Sequence, residues 1–114
     1  CLHHPPLPVG SAWLDAVSLR NAGELLAVIE RYPAVRAVLG GHVHQAFERQ
    51  HGHTLVLATP STCAQFTPLT GHCVMDLKPP GYRWLELLPD GQVRTEVRWL
   101  QDWEVAERPP DDRF

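Results

Sequence analysis

The sequence predicts a mixed α/β layer, and an incomplete one. Three observations carry that reading. An amphipathic helix over 21–32 runs into a buried apolar stretch at 34–39. Ahead of the helix, Cys1 and Leu2 read as the end of a strand. Behind it come several strand-like runs punctuated by turn signals. Strand, crossing helix and second strand make a β-α-β unit, and the later runs are expected to pair antiparallel.

Each element has its own reason. "HHPPLPVGS" (3–11) holds three prolines and a glycine, which forbid regular structure, so it is a loop. "AWLDAVSLR" (12–20) has room for a short helical turn. Asn21 is placed to cap the main helix, with Glu24 three residues on in the manner of a capping box. Ala22, Leu25, Leu26 and Ile29 then fall on one helical face, and Pro33 ends the helix at Tyr32. "AVRAVL" is rich in Val and reads as a buried strand. "AFERQ" and "TLVLATP" flank "HGH" as a hairpin. "HCVMDL", "YRWLELL" and "VRTEVRWL" read as three further strands, the last two joined by the turn signal "PDG".

Composition narrows the function. The chain has 114 residues, of which 44% are hydrophobic and 20% charged, which suits one small globular domain. A net charge of -3 leaves no basic footprint for nucleic acid, and no apolar stretch reaches the length needed to span a bilayer. The N-terminal residues do not resemble a signal peptide. Three cysteines, an odd number at irregular spacing, point to a reducing compartment, so a cytoplasmic location is expected. The chain begins at Cys1 and its one methionine is Met75, from which we expect a piece of a longer protein. Residues 104–114 are charged and carry two prolines, so they are expected to form a flexible tail after a domain spanning 1–103.

Seven histidines are the main source of chemistry. His42 and His44 sit in "LGGHVHQ" (39–45), at the end of the predicted strand. Alternation in an extended segment would turn both rings to one side, with Gly40 and Gly41 allowing the sharp bend. Imidazole suits first-row divalent ions, but two loop histidines without a metal would read the same way. His3 and His4 stand at the other strand end. If the two strands are parallel neighbours, one or the other meets the 42/44 pair at a shared rim, where ligands of α/β sheets bind. His51 and His53 straddle Gly52 in the hairpin and read as solvated turn residues. His72 reads as structural or exposed. None of Ser11, Ser18 and Ser61 sits in a nucleophile elbow. Cys63 reads as a small buried side chain, and Trp84, Trp99 and Trp103 as packing residues. Trp13 reads either as core or as the wall of a pocket.

"LHHPPLPVGSAWLD", "LRNAGELLAVIERYPAVRAVLGGHVHQ", "ATPSTCAQF" and "PGYRWLELLPDGQVRTEV" together resemble the C-terminal half of a bacterial calcineurin-like metallophosphoesterase, above all the class III 3′,5′-cyclic-AMP phosphodiesterases. The likeness runs from Cys1 to about Trp99. It implies the second half of a four-layer sandwich, two mixed β-sheets flanked by helices. It also implies a two-metal centre holding Mn, Fe or Zn and acting on a cyclic nucleotide. By resemblance, His3 and His42 would bind one ion and His44 the other, with His4 touching the substrate phosphate or supporting the ligands. No catalytic residue beyond these ligands is implied. The family's Asp-x-His, Gly-Asp and Gly-Asn-His motifs are absent from the sequence. The resemblance therefore implies that this chain by itself is inactive and holds at most one ion weakly. Sheet edges left unpaired would favour a homo-oligomer.

Overall fold

The computed structural model describes residues 1–101. The boundary at 103, Trp103 and the tail expected over 104–114 lie outside the described residues.

Two helices precede the strands, α1 (Ala12–Asp15) and α2 (Ala22–Glu30). The four positions that the helical period selects are the four that α2 shields from solvent: Ala22, Leu25, Leu26 and Ile29. Ile29 is buried against Val38 and Val56, with Leu25 and Leu2 beside it. Burying a side chain of that size contributes about 1.5–3 kcal/mol, more than helix propensity supplies over one turn. The capping box is not formed. Asn21 makes no side-chain hydrogen bond, and its carbonyl alone starts the helix by accepting from the Glu24 and Leu25 amides. Two residues short of Tyr32, α2 gives way to a looser turn that still ties the Tyr32 amide to the Ile29 carbonyl.

The main sheet holds β1 (Ala37–Gly40), β2 (Phe47–His51) and β3 (Thr54–Ala58), in the order β1-β3-β2. β3 lies in the middle, parallel to β1 and antiparallel to β2. Central position explains its composition: "TLVLA" buries four of its five residues. The β2–β3 hairpin forms as the sequence predicts, with Gly52 in the left-handed region (φ 56°) at the turn. Residues 2 and 3 are not a regular strand, yet they run alongside β1. The Leu2 amide donates to the Leu39 carbonyl (2.8 Å), and the Gly41 amide to the His3 carbonyl (3.0 Å). Both partners advance together, so the contact is parallel and the β-α-β arrangement is real.

Two antiparallel pairs complete the described fold: β4 (Gln65–Phe66) with β5 (Met75–Asp76), and β6 (Gly81–Leu87) with β7 (Val93–Trp99). β4 falls in a stretch where no strand was predicted, and "HCVMDL" yields only the two residues of β5. β6 and β7 form the expected pair around Pro89–Gly91. Among the described residues there is thus one mixed sheet, with two separate ribbons beside it.

Candidate metal centre

The Pro-rich loop is held rigidly. Both carboxylate oxygens of Asp15 accept backbone amides, Val9 at 2.8 Å and Gly10 at 3.0 Å, which clamps the loop onto α1. Ser11, wholly buried, accepts from the Leu69 amide (3.0 Å) and from Gln45 (3.4 Å). Loop, β1 exit and the segment before β5 are thereby fixed relative to one another. Sequence reading weighed Ser11 only as a nucleophile, because its partners Gln45 and Leu69 lie far away in the chain.

Three of the seven histidines, His3, His4 and His42, gather at the rim formed by residues 2–4 and the end of β1. The His42 Nδ1 lies 3.2 Å from the His3 Nε2. Ring centroids are 4.9 Å apart for His3 and His4, 5.0 Å for His3 and His42, and 4.2 Å for His4 and His42. One nitrogen from each of these three rings lies within 4.8 Å of the others. Imidazole binds an ion at about 2.0–2.1 Å, which sets opposite donors about 4 Å apart, so small side-chain rotations would close the trio on one ion. The Nε2 of His42 is buried and has no hydrogen-bond partner. An unpartnered buried nitrogen is costly unless something else engages its lone pair. Burial, and then the neighbouring His4, His3 and His44, push the His42 imidazole below its ordinary pKa. The neutral, ligating form is favoured.

The turn that presents His42 differs from expectation. Neither Gly40 nor Gly41 is left-handed. The left-handed residues are the histidines themselves, His42 at φ 63° and His44 at φ 48°. The Val43 amide closes a three-residue turn on the Gly41 carbonyl at 2.6 Å, with His42 at its centre. Positive φ there marks the rarer, strained form of such a turn. The 42–44 segment is therefore not extended, and its two rings do not simply share one side. His42 joins His3 and His4, whereas the His44 ring lies flat on Phe66 (4.6 Å, 6° between planes). His44 Nδ1 donates to the Ala64 carbonyl at 2.9 Å, leaving Nε2 as a free lone pair. Orientation by a carbonyl is the usual support of a metal-binding histidine.

The other histidines serve structure. His51 pairs with Glu30 (3.0 Å) and His53 reaches the Tyr32 carbonyl (3.3 Å), so both brace the end of α2 and neither is merely solvated. His72 is exposed. Cys63, expected to be buried, is exposed, because β4 sits at the edge of the fold; Cys1 and Cys73 are exposed free thiols as well. Trp13 takes both of its expected roles, packing against Val9 and Leu14 and lining a cavity with Phe66. Trp84 remains largely exposed on the β6–β7 ribbon.

The chain's relatives are cyclic-nucleotide phosphodiesterases. The match is to the 3′,5′-cyclic adenosine monophosphate phosphodiesterase CpdA, 50% identical over 101 residues in Escherichia coli K12 and 45% over 100 residues in Pseudomonas aeruginosa. A 3′,5′-cyclic-nucleotide phosphodiesterase of Nostoc is 48% identical over 96 residues. These matches cover 84–89% of this chain but only 36–37% of each relative, so the chain spans little more than a third of their length. Identity at this level shows that most of this chain is homologous to a segment of these phosphodiesterases. No family model matches. A zinc-complexed Vps29 from Entamoeba histolytica is 25% identical with a TM-score of 0.38, over 71% of this chain and 47% of that one, an overlap on which nothing is built. No helix among the described residues is long and apolar enough to cross a membrane.

Proposed function

We propose that this chain supplies metal ligands to a phosphodiesterase that hydrolyses 3′,5′-cyclic AMP to 5′-AMP. The observation that carries the proposal is the meeting of His3, His4 and His42, one ring nitrogen from each lying within 4.8 Å of the others. Three imidazoles fit one divalent ion, Mn, Fe or Zn by donor type. In the complete enzyme a second ion would join the first, and the pair would supply a nucleophilic oxygen and offset the negative charge of the phosphoryl group. His3 and His42 hold one ion. His44, its Nε2 left free by the Ala64 carbonyl, faces the other. His4 lies as close to His42 as His3 does, so it is either the third donor or a contact for the phosphate. Among the described residues no carboxylate joins this cluster, so the bridging ligand comes from elsewhere and the chain alone is inactive, holding at most one ion. The surrounding fold is read as part of a four-layer sandwich, in which the main sheet with α2 forms one side. Free exposed thiols fit a cytoplasmic setting.

A graft tests this. Placed in the matching segment of the Escherichia coli relative, the chain should give Mn²⁺-dependent hydrolysis of cyclic AMP. His42→Ala in the graft should lower the rate roughly 100-fold or more, the scale on which loss of one group that stabilises the transition state is felt. A graft as active with His42→Ala as without it would refute the assignment. Better turnover of a simple aryl phosphodiester than of cyclic AMP would keep the chemistry and change the substrate.

A second reading has its own observation. Leu69, Leu77 and Leu87 are each at least 75% exposed, which favours a non-catalytic half-fold that binds metal and self-associates through apolar side chains left uncovered.

A further inference from the structure

Beside the histidines opens a cavity of about 410 Å³, lined by Trp13, Phe66 and Met75, by the thiols of Cys63 and Cys73, and by His44. Small-molecule sites span roughly 300–1,000 Å³ and are mostly apolar. This one has a definite construction. Phe66 and Met75 face each other across the β4–β5 pair, so they share one side of that ribbon. Trp13 stands edge-on to Phe66 at 5.1 Å and 77°, and His44 lies flat on it. The carbonyl of Ala64, on the same wall, is already taken by the His44 Nδ1. Apart from the His44 Nε2, given above to an ion, and the Trp13 Nε1, which is buried from the open space, what remains is aromatic carbon and sulfur, which attract flat, polarisable rings and offer little to hydrogen-bond.

We propose that this cavity receives the purine base of the nucleotide, holding it by contact with Trp13, Phe66 and Met75 and leaving the base edge unread. The placement rests on the phosphodiesterase reading above, since His44 is shared between the metal rim and the cavity wall. The chemistry selects the base over the rest of the ligand. Phosphate and ribose are polar and would lose hydration against this wall, whereas a purine has two stackable faces. A wall whose few polar atoms are buried or committed to an ion also discriminates weakly between adenine and guanine.

The cysteines make the cavity directly observable. Cys63 and Cys73 line it, while Cys1 is an exposed thiol outside it and serves as the internal control. Alkylation of each thiol by N-ethylmaleimide is followed by peptide mass spectrometry in the 114-residue chain without metal. Adenosine and guanosine should both slow modification of Cys63 and Cys73 and leave Cys1 unchanged, while ribose 5-phosphate should protect neither. Trp13→Ala should raise the adenosine needed for equal protection about tenfold, the scale of one lost stacking contact. Trp13 also packs in the core, so Met75→Asp on the exposed β5 provides a second variant and should weaken protection likewise. Unchanged alkylation rates with adenosine would overturn the proposal, as would protection undiminished by both variants. Protection by adenosine and not by guanosine would overturn the edge-blind part. Failure of the graft described above would end the phosphodiesterase reading and leave adenosine protection intact, so the two failures are distinguishable.

Discussion

His42 is where backbone strain and ligand chemistry coincide. A non-glycine residue at φ 63°, inside a turn closed at 2.6 Å, carries a conformational cost of about 1–3 kcal/mol. The surrounding bonds impose it: residues 2–3 and β1 fix the Gly41 amide to His3, and the chain must then turn at once. Because the cost falls on the Cβ, His42→Ala and His42→Gly should differ although both remove the same imidazole. The glycine variant should be the more stable by about 1 kcal/mol in urea denaturation, after allowing for its greater unfolded-state entropy. Equal stability, or a more stable alanine variant, would mean that the turn is unstrained. The sequence pointed to His42 and His44 through their strand-end position. It misplaced the turn onto Gly40 and Gly41 because a glycine pair is the commoner source of a left-handed bend.

At the scale of elements, one side chain joins two sheets. Arg83 of β6, with only 3% of its side chain exposed, donates to the Ala58 carbonyl (3.2 Å) and the Phe47 carbonyl (3.2 Å). It also reaches Thr95 (2.9 Å) and Glu48 (3.3 Å). Ala58 and Phe47 are register partners at the end of the β2–β3 pairing, so the guanidinium staples the β6–β7 ribbon to the main sheet. Arg83→Lys keeps the charge but has no planar fork to serve both carbonyls. It should cost about 2 kcal/mol in chemical denaturation, whereas a surface arginine would cost under about 0.5 kcal/mol. A loss within that surface range would show that the ribbon is held by other contacts. α2 and β6–β7 were legible because each is long enough for a period or a turn signal to register. β4 and β5, two residues each, are too short for periodicity to reveal, and a buried arginine looks in sequence like any outward-facing strand residue.

Across the whole molecule, the β-α-β unit produces the site. The Leu2 segment and β1 are joined by α2 and run side by side, which brings His3 and His42 together from 39 residues apart. That convergence was readable from element order alone. Inclusion of His4 in the trio, and the separation of His44 onto Phe66, depend on side-chain directions that the order of elements leaves open. The fold supporting them is thin. Its buried hydrophobic side chains fall mainly in two small clusters, around Val9, Leu14, Val43 and Ala58, and around Ile29, Val38 and Val56. The central claim is that such a framework already holds three imidazoles in ligating geometry. Calorimetric titration of Mn²⁺ into the 114-residue chain, beside its His42→Ala variant, tests this most directly. Saturable binding of one ion per chain, lost in the variant, is the expected result. Heats that never saturate, or a variant that binds as well as the parent chain, would contradict it.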